Sequence, residues 1–144
     1  MSRTKKLTAR QKIDCVRLHA AVVTLTFRHA QRRARRIVVR PRREALFRML
    51  AHVSAGLAAF EAFSQHPNEE AAVKAAELLH YGPELISLEI FDSYHRLSPQ
   101  ERLSPSWLKQ LGVLCSGLRV LAEAIAEISP YAYPIVHAPN PLEA

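Results

Sequence analysis

For its first forty residues the chain contains neither proline nor glycine; Pro41 is the first of one and Gly56 the first of the other. A stretch that long with no turn-forming residue must be helical, extended or unfolded, and hydrophobic spacing decides among these. On a helix over residues 10–37, Ile13, Val16, Ala20, Val23, Phe27, Ala30 and Ala34 recur at alternating intervals of three and four and form one stripe. A pair of strands over 20–27 and 37–40 is the alternative, because "VVTLTF" alternates apolar residues with threonine and "IVVR" is β-branched. The nine residues between those segments hold no Gly, Pro, Asn or Asp to turn the chain, which favours the helix. On the same wheel Leu18, Val22 and Leu25 lie away from the main stripe, so burial on two sides is expected early in this helix.

Prolines and caps divide the remainder. Pro41 opens a helix over about 42–64, with Leu46, Leu50, Val53, Leu57 and Phe60 on one face and Ala51, Ala55, Ala58 and Ala62 permitting close approach by a neighbour. Asn68 followed by Glu69 and Glu70 predicts a capped helix start, with Gly82 as its stop and Pro83 as the start of another helix to about Leu97. Ser98 and Glu101 match a capping box for a single short turn. Ser104 and Pro105 begin a last helix to Ser129, where Trp107, Leu111, Leu114, Leu118, Leu121, Ile125 and Ile128 form a seam for the core or for a partner chain. The ending "PYAYPIVHAPNPLEA" has four prolines and predicts an extended tail.

The expected fold is therefore all-α, a single-domain bundle of about four to five helices over residues 1–129, with 130–144 as the extended tail. At 144 residues and 49% apolar content, one domain can bury about 70% of its unfolded surface. Charge is distributed unevenly: residues 1–43 carry fourteen Lys or Arg against Asp14 alone, a net +13, whereas residues 44–144 carry six against twelve acids, a net −6, making up the overall +7. A basic arm thus precedes a mildly acidic body, and the local field of such an arm draws polyanions.

The arginines concentrate in "RHAQRRARRIVVRPRR", residues 28–43, which has eight of them and no acid. At about 100° per residue, Arg28, Arg32, Arg35 and Arg36 fall opposite Val23, Phe27, Ala30 and Ala34, so one face packs while the other offers cations. Five like charges within nine residues weaken an isolated helix unless something neutralises them. Phosphate does so directly, by bidentate contacts and by releasing condensed counterions. The expected binding residues are Arg28, Arg32, Arg33, Arg35, Arg36, Arg40, Arg42 and Arg43, with Lys5, Lys6, Arg10 and Lys12 upstream. Gln31 is the only amide inside the run, so backbone contact rather than base readout is expected. An acidic, nucleic-acid-binding groove on another protein is the alternative partner, which would make the chain an adaptor or inhibitor; self-association through the Trp107–Ile128 helix is a third.

No pattern of reactive residues points to an enzyme. Cys15 and His19 share a helix face at a metal-capable spacing, yet two ligands do not make a site unless Cys115, His52 or Asp14 converge on them. In "FDSYHR", Ser93 and His95 diverge by about 200° on a helix, which disfavours a nucleophile–base pair. His29, beside the arginine face, is a candidate contact to nucleic acid. Seven histidines show no metalloprotease spacing and no glycine-rich phosphate loop is present, so neither metal nor cofactor is expected. Two cysteines a hundred residues apart fit free thiols in a reducing cytoplasm, and no run of about 18 apolar residues or cleavable leader is evident.

Overall fold

The computed structural model describes residues 7–138. Four long helices, α1 (Ala9–Arg35), α2 (Arg40–Gln65), α3 (Glu69–His95) and α4 (Pro105–Ile128), are followed by a single turn, α5 (Tyr133–Val136), and no strand occurs among the described residues. Residues 20–27 are helical, so the strand alternative falls. The tertiary reason is visible in the core: Val23, Phe27 and Ala30 are all buried, at successive intervals of four and three, which a helix allows and the two-residue alternation of a strand does not.

Each long helix has a local reason for its start. Thr8 caps α1 in a complete capping box, its Oγ1 accepting from Gln11 N at 3.1 Å while Gln11 Oε1 accepts from Thr8 N at 2.9 Å. Asn68 Oδ1 caps α3 by accepting from Ala71 N at 2.8 Å, and Ser104 Oγ caps α4 by accepting from Trp107 N at 3.2 Å. In α2, Val39 occupies the cap position without a side-chain bond, and Pro41 sets the first turn.

The helices form an antiparallel ring in which α1 touches α2 and α4, and α3 touches the same two. Cross-links fix the direction of each pair. Arg10 Nη1 donates to Ser64 O at 2.8 Å across α1 and α2, Arg42 reaches Ser93 across α2 and α3, Ser87 meets Cys115 across α3 and α4, and Arg33 Nη1 donates to Gln110 Oε1 at 3.1 Å across α1 and α4. The seam of α4 supplies the centre, with Leu111, Leu114, Leu118, Leu121 and Ile125 all fully buried. It is thus filled by the chain's own helices, leaving Val113 and Val120 as the outward apolar residues of α4.

Three expectations are corrected. Gly82 does not end a helix and Pro83 does not begin one, because α3 runs through both. Glycine removes the Cβ that would strain a helical residue before proline, and both residues are buried on the inner face, where packing outweighs the lost backbone hydrogen bond. The tail is not extended over its described part: Ala132 is fully buried, Ile135 and Val136 pack on the core, and α5 rests against α3 and α4. Finally, the second side of α1 is bare. Leu18, Val22 and Leu25 are 76, 53 and 55% exposed. One 18-residue window of α2 reaches a mean hydropathy of 1.2, the level of a membrane span, yet Leu46, Leu50, Val53, Phe60 and Phe63 of that helix are core residues of the bundle.

Candidate nucleic-acid interface

The antiparallel ring gathers the C-terminus of α1, the N-terminus of α2, the C-terminus of α3 and the N-terminus of α4 at one end, and most of the arginines with them. Arg28, Arg32, Arg35 and Arg36 are exposed, and the side chain of none makes a hydrogen bond or ion pair among the described residues. No acid occurs between Asp14 and Glu44, so nothing on α1 can neutralise them locally. What steadies them is the helix itself. Arg32 and Arg35 lie in the last turn of α1, where the carbonyl end of the dipole favours cations by about 0.3–1 kcal/mol each.

At the start of α2 the same physics works in reverse. Its first turn carries Arg40, Arg42 and Arg43, no acid and no side-chain cap, so cations stand at the positive end of an uncapped helix, where Pro41 has no backbone N–H and that of Arg43 bonds Val39 O at 2.9 Å. Each is restrained differently. Arg40 Nε pairs with Glu44 at 3.0 Å one turn on, both side chains in solvent, an interaction worth at most about 0.5 kcal/mol and easily exchanged. Arg43 Nη1 donates to Ile37 O at 3.1 Å and so closes the α1–α2 link.

Arg42 is not available to any partner. It is 8% exposed, pairs with the largely buried Glu89, and donates through Nε to Glu101 O at 2.9 Å and through Nη2 to Ser93 Oγ at 3.4 Å. Burial lowers its pKa below the usual value, against the opposing pull of the Glu101 and Asp92 carboxylates. The residue expected as a phosphate ligand is instead the peg that holds α2 to α3 and to the link before α4. Arg33 is partly withdrawn as well, lying 5.2 Å over the Trp107 ring with Nη1 bonded to Gln110 and, at 3.3 Å, to Ser106 Oγ.

The upstream cations are separate from this end. Arg10 binds the Ser64 carbonyl and stands 3.7 Å from Asp14 at the opposite end of α1, and Lys12 is half-buried beside it. Lys5 and Lys6 lie outside the described residues. His29 is exposed on α1. The sequence reading passed over Arg48, which is exposed on α2 two turns beyond Arg40; the spacing Arg40, Glu44, Arg48 would have revealed it. Arg96 and Arg102 add cations at the same end, Arg96 lying 5.6 Å over the Phe91 ring and Arg102 Nε donating to Leu97 O at 3.0 Å.

Among the described residues no three His, Cys, Asp or Glu side chains come together as a metal site, and Ser93 lies buried against Arg42. No family model matches the chain, and neither the curated proteins nor the solved structures yield a significant match.

Proposed function

We propose that this helical bundle binds the phosphate backbone of nucleic acid through its basic end, without catalysing a reaction, as a component of a larger nucleoprotein assembly. One observation carries the reading: the α1–α2 corner sets Arg28, Arg32, Arg35 and Arg36, exposed and without counter-ions among the described residues, next to an uncapped helix N-terminus that bears Arg40. Guanidinium groups and the positive end of a helix both attract phosphate. With Arg33 and Arg42 engaged internally, the usable set is Arg28, Arg32, Arg35, Arg36, Arg40 and Arg48, with Arg43 at its margin.

Backbone contacts of this kind give affinity that depends steeply on salt and little on sequence. About five neutralised phosphates predict a slope of log K against log salt of about −4 to −5 on duplex, and about −3 to −4 on a single strand. The test titrates fluorescent duplex and single-stranded probes across salt. A slope shallower than about −2 on both leaves too few phosphate contacts and refutes the reading. An acidic groove on a protein is the competing counter-charge, and an adaptor or inhibitor using it would purify free of nucleic acid and show that shallow slope.

A further inference from the structure

We infer that Phe91, Tyr94 and His95, at the C-terminal end of α3, form a platform on which unpaired bases stack, so that the nucleic acid held at the basic end is a single strand. The inference rests on the phosphate-binding reading above and names the substrate of that same end. Phe91 and Tyr94 are 48 and 60% accessible, and His95 is exposed with them. Counted from Phe91, the other two lie three and four residues on, a spacing that sets side chains about 5–6 Å apart on one helix face. Ring centroids are 4.6 Å apart for Phe91 and His95 and 6.4 Å apart for Tyr94 and His95.

The core does not account for rings in this place. Phe27, Phe60, Phe63 and Trp107 are buried in it, whereas Phe91 and Tyr94 stand outside. Arg96 Cζ lies 5.6 Å from the centre of the Phe91 ring, so that face is open to a planar group. A base that takes this place frees the guanidinium for the adjoining phosphate. Bases of a duplex already stack on one another, and rings on the side of a helix meet only its sugars and phosphates. Bases of a single strand have free faces, and every base has one, so stacking adds affinity without choosing a sequence.

Position ties the platform to the arginines. Arg42, in the first turn of α2, reaches Glu89 and Ser93, which places that turn against the last two turns of α3. Arg48 lines one cleft with Leu88 and Asp92. A strand leading from the α1 arginines across the start of α2 therefore meets Arg40, then Arg48 and Arg96, before the rings. Acids near the rings are held by this chain: Asp92 stands 3.9 Å from Arg96, Glu89 pairs with Arg42, Glu44 lies 3.0 Å from Arg40, and Glu101 accepts from Ser98 Oγ at 2.8 Å. Glu84, two turns back, stands 3.6 Å from His80. Arg28, Arg32, Arg35 and Arg36 have no such partner among the described residues, which leaves the positive excess to phosphate. The large apolar residues that α3 exposes are Tyr81, Leu88, Phe91 and Tyr94. Three of them are aromatic, so this face lacks the aliphatic stripe with which a partner helix would interlock.

The experiment measures the full chain by fluorescence anisotropy against oligothymidylate of about 15 nucleotides, an abasic strand with the same number of phosphates, and a duplex of that length. Oligothymidylate binds at least about tenfold tighter than the abasic strand. Phe91→Leu/Tyr94→Leu, which keeps apolar bulk and removes the rings, abolishes that difference and leaves duplex affinity unchanged, whereas Phe91→Trp/Tyr94→Trp preserves it. Equal affinity of the unaltered chain for the thymidylate and abasic strands overturns the proposal. A double leucine variant that binds thymidylate as the unaltered chain does, or that loses all three probes alike, overturns it too and gives the face to a protein partner or to the fold. Either result, with a steep salt slope on duplex, leaves the phosphate reading standing, whereas slopes shallower than about −2 on every probe sink both.

Discussion

Arginines that look equivalent in the sequence do different work once folded, and stability measurements separate them. Replacing Arg42 with Ala leaves Glu89, 13% exposed, without its counter-ion, and should cost about 3 kcal/mol in urea denaturation. Arg36→Ala, on an exposed side chain with no partner among the described residues, should stay within about 0.5 kcal/mol yet weaken binding to a duplex probe. Arg33 falls between these two. Because Trp107 is the only tryptophan, Arg33→Ala should shift its fluorescence emission and lower stability by about 0.5–1 kcal/mol as the cation leaves the ring. None of this grading is legible in "RRARRIVVRPRR". Helical spacing told which arginines leave the apolar stripe, but the partners of Arg42 lie some fifty residues away, on α3 and the link beyond it.

At the scale of one element, α4 holds two glycines with opposite demands. Gly112→Ala should stabilise the protein by about 0.5–1 kcal/mol, because backbone freedom is lost from the unfolded chain and no atom is crowded. Gly117→Ala should destabilise by about 1–3 kcal/mol, because the new methyl meets Val23 at 2.6 Å on the facing helix. Thermal denaturation of the two variants side by side checks the pair of signs. The helix starts at Asn68 and Ser104 were readable beforehand, since a cap is a contact within four residues. The passage of α3 through Gly82 and Pro83 was not, because local punctuation was overruled by burial against α2 and α4.

For the whole molecule the decisive property is its polarity of charge. The basic end concentrates like charges that the fold neutralises only in part, so self-repulsion lowers stability when no polyanion is bound. Raising ionic strength from about 10 mM to about 150 mM shortens the screening length from about 30 Å to about 8 Å and should raise the thermal midpoint of the free protein. In the presence of a short duplex the same change should lower the midpoint, because salt releases the ligand that stabilises the folded state. A calorimetric scan at both salt concentrations, with and without duplex, checks this reversal.

What the sequence determined by itself is what depends on neighbours along the chain: helices rather than strands, the two clearest caps, the apolar seam of α4 and a basic front with nothing nearby to neutralise it. What only the tertiary structure decided is what depends on residues far apart: that Arg42 is a buried peg, that Pro83 sits inside a helix, that the tail folds back at Ala132, and that Leu18, Val22 and Leu25 stand exposed. Periodicity states that a face is apolar; which face finds a partner is set by how four rods close into a ring.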